Sequence, residues 1–292
     1  MQSSSEIPIG STIYAPGKLV IAGEYAVLDG APAISLAINR GVKCAVKPFR
    51  EGHPICTTPA GDSSFVYPAL STISTPAFYE FQDWNPVKQL KGTEKPGFGG
   101  SAAACVASCY AANLPLEKAF ALHHQVQGSG SGIDIATSIY GGMIWAENKQ
   151  YQEIPSILPV VVWTGNSAKT GPRVKKYNEW KYRETFVKES SYWTEHFSEN
   201  PVLATRRLFQ NLSRMAQESN LDYLNTSILD IVSIAESLHG GAKPSGAGGG
   251  DCVIAFFPNQ TQTNLFVKAC QKKYLVIPIA ISQGVYHTVS QT

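Results

Sequence analysis

The segment Gly97-Phe98-Gly99-Gly100-Ser101, followed at once by the small-residue run 102–112, constrains the chain more than any other stretch. Glycine lets main-chain N–H groups converge on an anion without a Cβ in the way, and a helix that starts there adds positive potential. Ser101 stands where an N-cap is expected, so the sequence predicts a loop-to-helix junction facing an anionic ligand. It is not a Walker A loop, because Gly100 rather than lysine precedes the hydroxyl residue. The dinucleotide pattern Gly-x-Gly-x-x-Gly also fails, since Ala102 occupies its last glycine.

Two further glycine-bearing loops lie at Pro16-Gly17-Lys18 and Gly246-Ala247-Gly248-Gly249-Gly250. Each alone reads as a tight turn, but three together, one beside a lysine, favour phosphate binding. Asp134 follows Gly130-Ser131-Gly132-Ile133 at the start of a short predicted helix, 133–140. A carboxylate there can accept a substrate hydroxyl proton while Lys18 lowers the pKa of that hydroxyl. It can equally be a first-turn acid favoured by the helix dipole, and the residues alone leave both readings open. Glu24 and Asp29 flank a predicted hairpin corner and are open in the same way, since a charged pair at such a corner is usually solvated.

The chain has 292 residues, 43% of them hydrophobic, enough for one large core or two moderate ones. Its formal net charge of +2, with 16% charged residues, argues against a broad nucleic-acid surface. No uncharged apolar run approaches the roughly 20 residues that span a bilayer, and residues 1–10 lack a signal-peptide pattern. A soluble cytoplasmic protein is expected. Six cysteines without a Cys-x-x-Cys pair read as buried thiols, and His123-His124 read as structural rather than metal-binding.

Along the chain, residues 12–28 read as a hairpin turning at Pro16-Gly17, 33–38 and 42–46 as strands, and 48–86 as strands within a long surface excursion. Helices are expected at 116–126, 133–140, 173–184, 202–218, 221–239 and 264–273, and strands at 143–146, 160–164, 252–257 and 274–281. The Pro-bounded stretch 155–159 suggests a division into 1–156 and 157–292, an α+β chain of two halves, each with strands and helices packed on one face.

The loops in this order resemble the motifs of the galactokinase, homoserine kinase, mevalonate kinase and phosphomevalonate kinase (GHMP) superfamily. The first motif resembles Ala15-Pro16-Gly17-Lys18-Leu19-Val20-Ile21-Ala22-Gly23-Glu24-Tyr25, the second Gly97-Phe98-Gly99-Gly100-Ser101-Ala102-Ala103, and the third Lys243-Pro244-Ser245-Gly246-Ala247-Gly248-Gly249-Gly250-Asp251-Cys252. Gly23-Glu24-Tyr25, Gly130-Ser131-Gly132-Ile133-Asp134-Ile135-Ala136, the segment from Trp163-Thr164 to Ala168-Lys169-Thr170, and the third motif are similar to the phosphomevalonate kinase branch.

The resemblance implies a GHMP kinase fold with the active site between its halves, ATP as co-substrate and Mg²⁺. It implies Asp134 as the catalytic base and Lys18 as its electrostatic partner. Gly97, Gly99, Gly100, Ser101 and Ala102 would surround the nucleotide phosphates, with Ser101 also toward Mg²⁺. Lys18, Glu24, Tyr25, Ser131, Ala168, Lys169, Ser245, Gly246 and Ala247 would meet the acceptor, 5-phosphomevalonate. Lys88, Lys91, Lys95, Lys169 and Arg173 are candidates for holding that acceptor's phosphate. Mevalonate or another alcohol is the alternative acceptor, and a non-catalytic metabolite sensor is the alternative of another class. Three departures stand out. Gly100 replaces the first serine of the usual pair, 123–127 contains no acid where some relatives supply a glutamate to Mg²⁺, and 49–95 has no recognisable motif. Neither nucleic acid nor membrane is expected as a partner, and the oligomeric state, monomer or homodimer, is open.

Overall fold

The computed structural model describes residues 7–50, 52–59, 61–90, 94–128, 130–168 and 170–289. Strand β1 (Ser11–Ala22) pairs antiparallel with the long β2 (Ala33–Pro48), a 3-10 turn over Ala26–Asp29 lying between them. The expected hairpin turn at Pro16-Gly17 is instead a bulge inside a continuous strand, where the register shifts from Pro16 opposite Gly41 to Gly17 opposite Ile38. Gly17 serves close approach rather than a turn. A Cβ there would lie 2.5 Å from the Phe98 carbonyl oxygen and 2.6 Å from that of Arg40.

β3 (Ile55–Thr57), α1 (Tyr67–Leu70) and β4 (Ala77–Trp84) follow, then α2 (Gly100–Ala111), α3 (Lys118–Gln127), α4 (Ile133–Tyr140) and the hairpin β5 (Met143–Glu147) and β6 (Gln150–Ile154). The first sheet runs β11-β1-β2-β4-β3, with β5 on the other half of β2 and β6 beyond it. Burial alternates along β1 from Ser11 to Tyr14 and is continuous from Ala15 onward. That switch marks where both faces of the strand become covered. Leu19, Ile21, Leu36 and Ile38 share a core with Val161, Leu208, Ile254 and Phe256 of the second half. Each such side chain contributes about 1.5–3 kcal/mol on full burial.

The second half contains β7 (Val160–Trp163), α5 (Thr170–Glu179), α6 (Glu184–Glu195), α7 (Pro201–Glu218), α8 (Thr226–Ser237), β8 (Gly241–Pro244), β9 (Cys252–Phe256), α9 (Gln260–Cys270) and β10 (Leu275–Ile277), before the final β11 (Tyr286–Val289). Its sheet is antiparallel in the order β10-β7-β9-β8. The mixed architecture agrees with the α+β expectation.

Helix α6 escapes sequence reading because its buried stripe, Phe186, Ser190 and Thr194, is mostly polar. The hydrophobic period is therefore weak although the spacing is helical. α8 starts later than the expected 221, where the Asn225 side chain accepts a hydrogen bond from the Ile228 N–H at 2.9 Å. The division at 156/157 differs from the strand order at the C-terminus: Asn39 donates to the Ala280 carbonyl and β11 pairs with β1, returning the last strand to the first sheet. Long-range pairing of this kind leaves no mark on local periodicity. All six cysteines are free, five of them buried, as expected. Among the described residues, no helix is long and apolar enough to cross a membrane.

Candidate active site

Three chain segments meet around Lys18. Its backbone N–H donates to the Phe98 carbonyl at 2.9 Å, joining β1 to the second glycine loop. Its ammonium lies 3.7 Å from Asp134 Oδ1, the lysine side chain being 10% exposed and the aspartate 37%. Asp134 is the second residue of α4, whose N-cap Gly132 has φ +77°. Gly99 closes the triangle: at φ +73°, a Cβ on it would lie 3.3 Å from both Asp134 Oδ2 and Lys18 Cγ. Gly99, not Ser101, is the N-cap of α2. The helix begins two residues earlier than expected because glycine reaches the left-handed conformation at no steric cost.

The third loop arrives from the second half. Ser245 Oγ accepts from the Val20 N–H at 2.9 Å, and the Tyr25 hydroxyl donates to the Ala247 carbonyl at 2.6 Å. A Cβ on Gly246 would come 3.8 Å from the Lys18 ammonium. Burial raises the Tyr25 phenol above its ordinary pKa, so it remains a neutral donor. Glu24 is not solvated: Lys243 Nζ donates to its Oε1, and both side chains are buried. Burial lowers the Lys243 pKa and the Glu24 charge opposes that shift. Asp29 is also engaged, accepting from the Tyr177 hydroxyl and facing Arg183 at 3.4 Å.

Beneath the second loop, Asp251 crowds the position a Gly97 Cβ would take, at 2.3 Å, and accepts from the Ala168 N–H at 2.9 Å. Burial raises the Asp251 pKa. Ala168 thus supports the loop rather than lining the cleft. Ala102 is buried, and Ser101 Oγ lies 3.3 Å from His123 Nε2. The His123 ring packs on Phe65 at 5.1 Å between centroids, and burial lowers its pKa. Phe65 belongs to the unassigned stretch 49–95, which therefore reaches the start of α2. Ser131 Oγ accepts a long bond, 3.4 Å, from the Ile133 N–H.

These segments border a cleft of about 600 Å³ lined by Lys18, Glu24, Tyr25, Ser131, Asp134, Gly246 and Ala247. Sequence reasoning missed Glu117, His123, Lys149 and the aromatic wall of Phe120, Tyr140 and Tyr151. His123 had a usable signal, lying four residues after buried Ala119 on one face of α3. Lys91 and Lys169 lie outside the described residues. Of the other expected phosphate-binding cations, Lys88 lines a separate surface cavity with Arg40, Lys95 lies where its backbone N–H donates to Ser167 Oγ, and the Arg173 Nε donates to the Asp222 carbonyl. None of these three borders the cleft.

Residues 203–275 match the family model described as GHMP kinases C terminal. The chain is 26% identical to the mevalonate kinase of Pyrococcus furiosus, covering 84% of this chain and 89% of that one. It is 25% identical to the phosphomevalonate kinase of Streptomyces sp. strain CL190, covering 86% and 91%. Its fold is similar to that of the Lin0012 protein from Listeria innocua, with a TM-score of 0.84 at 22% identity over 96% of this chain and 99% of the other. The chain has the GHMP kinase fold. All three glycine motifs by which the sequence resembles these kinases converge on the Lys18–Asp134 pair.

The fold family implies Mg²⁺, which would need oxygen donors beside a bound nucleotide. Ser101 and Asp134 supply a hydroxyl and a carboxylate, and among the described residues no three His, Cys, Asp or Glu side chains form a metal cluster. This sparse set fits Mg²⁺, which takes one or two protein oxygens and keeps phosphate and water as its other ligands.

Proposed function

We propose that this chain is an ATP-dependent kinase of the mevalonate pathway that phosphorylates 5-phosphomevalonate, yielding 5-diphosphomevalonate and ADP in isoprenoid precursor synthesis. The observation that carries the reading is the Lys18–Asp134 approach of 3.7 Å at the meeting point of three glycine loops. Asp134 takes any proton left on the attacking acceptor oxygen and orients that oxygen. Lys18 offsets the charge that builds between acceptor and γ-phosphoryl group. The loop of Gly97, Gly99 and Gly100, with the start of α2, offers main-chain N–H groups to the nucleotide phosphates. Mg²⁺, held toward Ser101, would neutralise phosphate charge when bound. A cytoplasmic enzyme, with ATP at hand, fits this reading.

Phosphomevalonate is favoured by the wording of four segments, and a phosphomevalonate kinase at 25% identity stands among the relatives beside a mevalonate kinase at 26%. Mevalonate is the second reading. It is favoured by a specific observation: among the described residues, Lys18 and Lys149 are the only lysines or arginines lining the cleft. A coupled ADP-release assay with Mg·ATP and equal concentrations of 5-phosphomevalonate, mevalonate, homoserine and galactose decides between them. Turnover of phosphomevalonate above the others supports the proposal, and preference for mevalonate replaces it. ATP binding without turnover of any acceptor points to a sensor. Asp134→Asn should lower kcat by about 10²–10⁴-fold while ATP affinity stays within a few fold.

A further inference from the structure

The β5–β6 hairpin turns on Asn148 and Lys149, at φ +50° and +61°. Such a two-residue turn favours Asn-Gly, because both central residues adopt left-handed backbone. Asn148 obeys the rule and Lys149 breaks it. A lysine held at positive φ costs backbone strain that glycine would avoid, and rule-breaking residues of this kind concentrate at functional sites.

The Lys149 side chain lines the same cleft as Lys18 and Asp134. Among the described residues it has no hydrogen bond or ion pair. The strand register gives its position. Lys18 lies opposite Ala37 of β2, while Ala146 lies opposite Ala33 and the turn continues beyond. Four residues of strand separate those two registers, about 13 Å at 3.3 Å per residue. Lys149 therefore stands at the end of the cleft remote from the Lys18–Asp134 pair. Val27, Leu28, Phe120 and Tyr151 line the same cleft, and Tyr151 stacks on Phe120 at 5.6 Å, which braces the hairpin. Glu24, Glu117 and Asp134 supply negative charge to the same cleft, and among the described residues Lys149 is the cation at its far end that can attract an anion.

We propose that Lys149 is a specificity-determining residue that binds a carboxylate at the end of the acceptor away from the oxygen being phosphorylated. This rests on the kinase reading above and deepens it: the acceptor is a short hydrocarbon chain, with its reacting oxygen at Lys18 and a carboxylate at Lys149. Both 5-phosphomevalonate and mevalonate carry that carboxylate, which in the former lies two bonds farther from the reacting oxygen.

Lys149→Gly separates function from folding, because glycine suits the turn better than lysine does. The variant should melt at the same temperature as the parent chain or higher. Its acceptor KM should rise at least tenfold, with the KM for ATP unchanged and kcat at saturating acceptor within about threefold. Lys149→Arg should restore most of the acceptor affinity. A neutral-ended analogue that lacks only the carboxylate, 3-methylpentane-1,3,5-triol where mevalonate is the acceptor or the monophosphate of that triol where 5-phosphomevalonate is, should be handled equally by the parent and Lys149→Gly. An unchanged acceptor KM in a folded Lys149→Gly variant overturns the assignment and leaves the kinase reading intact. An equal loss with the analogue also overturns it, showing a role unrelated to the carboxylate. Failure of the parent chain to turn over any acceptor removes the kinase reading, and this proposal with it.

Discussion

Lys243 and Glu24, 219 positions apart, form a buried ion pair that ties β8 to the loop after β1. Lys243 also donates to the Pro244 carbonyl at 3.1 Å, and the Gly246 N–H faces the same Glu24 oxygen at 3.4 Å. The pair therefore holds the third glycine loop against the strand that carries Lys18. Removing one partner strands the other charge in the core, whereas removing both leaves a neutral site.

Lys243→Met alone is expected to destabilise the chain by about 3–5 kcal/mol in urea unfolding. In the double variant Glu24→Gln, Lys243→Met, the loss should be smaller than the sum of the single losses by about 2 kcal/mol or more. Additive losses would show that the two side chains do not depend on each other.

Gly99 and Gly100 are neighbours with opposite tolerances. Gly99 has φ +73° and faces Asp134 and Lys18, so Gly99→Ala incurs about 1–2 kcal/mol of left-handed strain. It should also lower kcat at least tenfold by pressing on the Asp134 carboxylate. Wild-type kcat in a folded Gly99→Ala variant would remove the close packing from the mechanism.

A Cβ added at Gly100 meets nothing within 4 Å, and the residue begins α2. Gly100→Ser should therefore leave Tm unchanged or raise it, since glycine in a helix costs about 0.5–1 kcal/mol relative to residues with a side chain. The restored hydroxyl should lower the KM for Mg·ATP. A KM that does not move would show that the main chain of this loop already supplies the contact.

Burial raises the Asp251 pKa above its unfolded value. The folded state therefore holds the proton more tightly, and the associated stability is present below the unfolded pKa and lost as pH rises through the folded pKa. At neutral pH the chain carries the cost of a buried charge. Asp251→Asn keeps an acceptor for the Ala168 N–H and suits φ +53°, so it should raise Tm at pH 7–8. The gain should shrink as pH falls toward 4. A gain independent of pH would assign the effect to backbone preference alone.

Much of this architecture is legible locally. Helix α4 spans 133–140 as its pattern predicts, and α7 and β9 lie within a residue of their expected ends. The glycine loops and the motif residues Lys18 and Asp134 were visible because each contrasts with its neighbours. Ser101 was misread as an N-cap because Gly99 and Gly100 both permit a helix start, and only main-chain geometry separates them. The roles of Glu24 and Asp29 stayed open in the sequence because their partners, Lys243, Tyr177 and Arg183, lie more than a hundred residues away.

Periodicity, glycine placement and motif order were enough for the class of fold, the three loops and the chemistry they suit, because these depend on interactions within one or two turns of chain. Folding in three dimensions settled the rest: which charges meet in the core, where β11 pairs, that Phe65 packs on His123, and that Lys149 faces the far end of the cleft. Those contacts join distant segments, and neither local propensity nor composition carries a record of them.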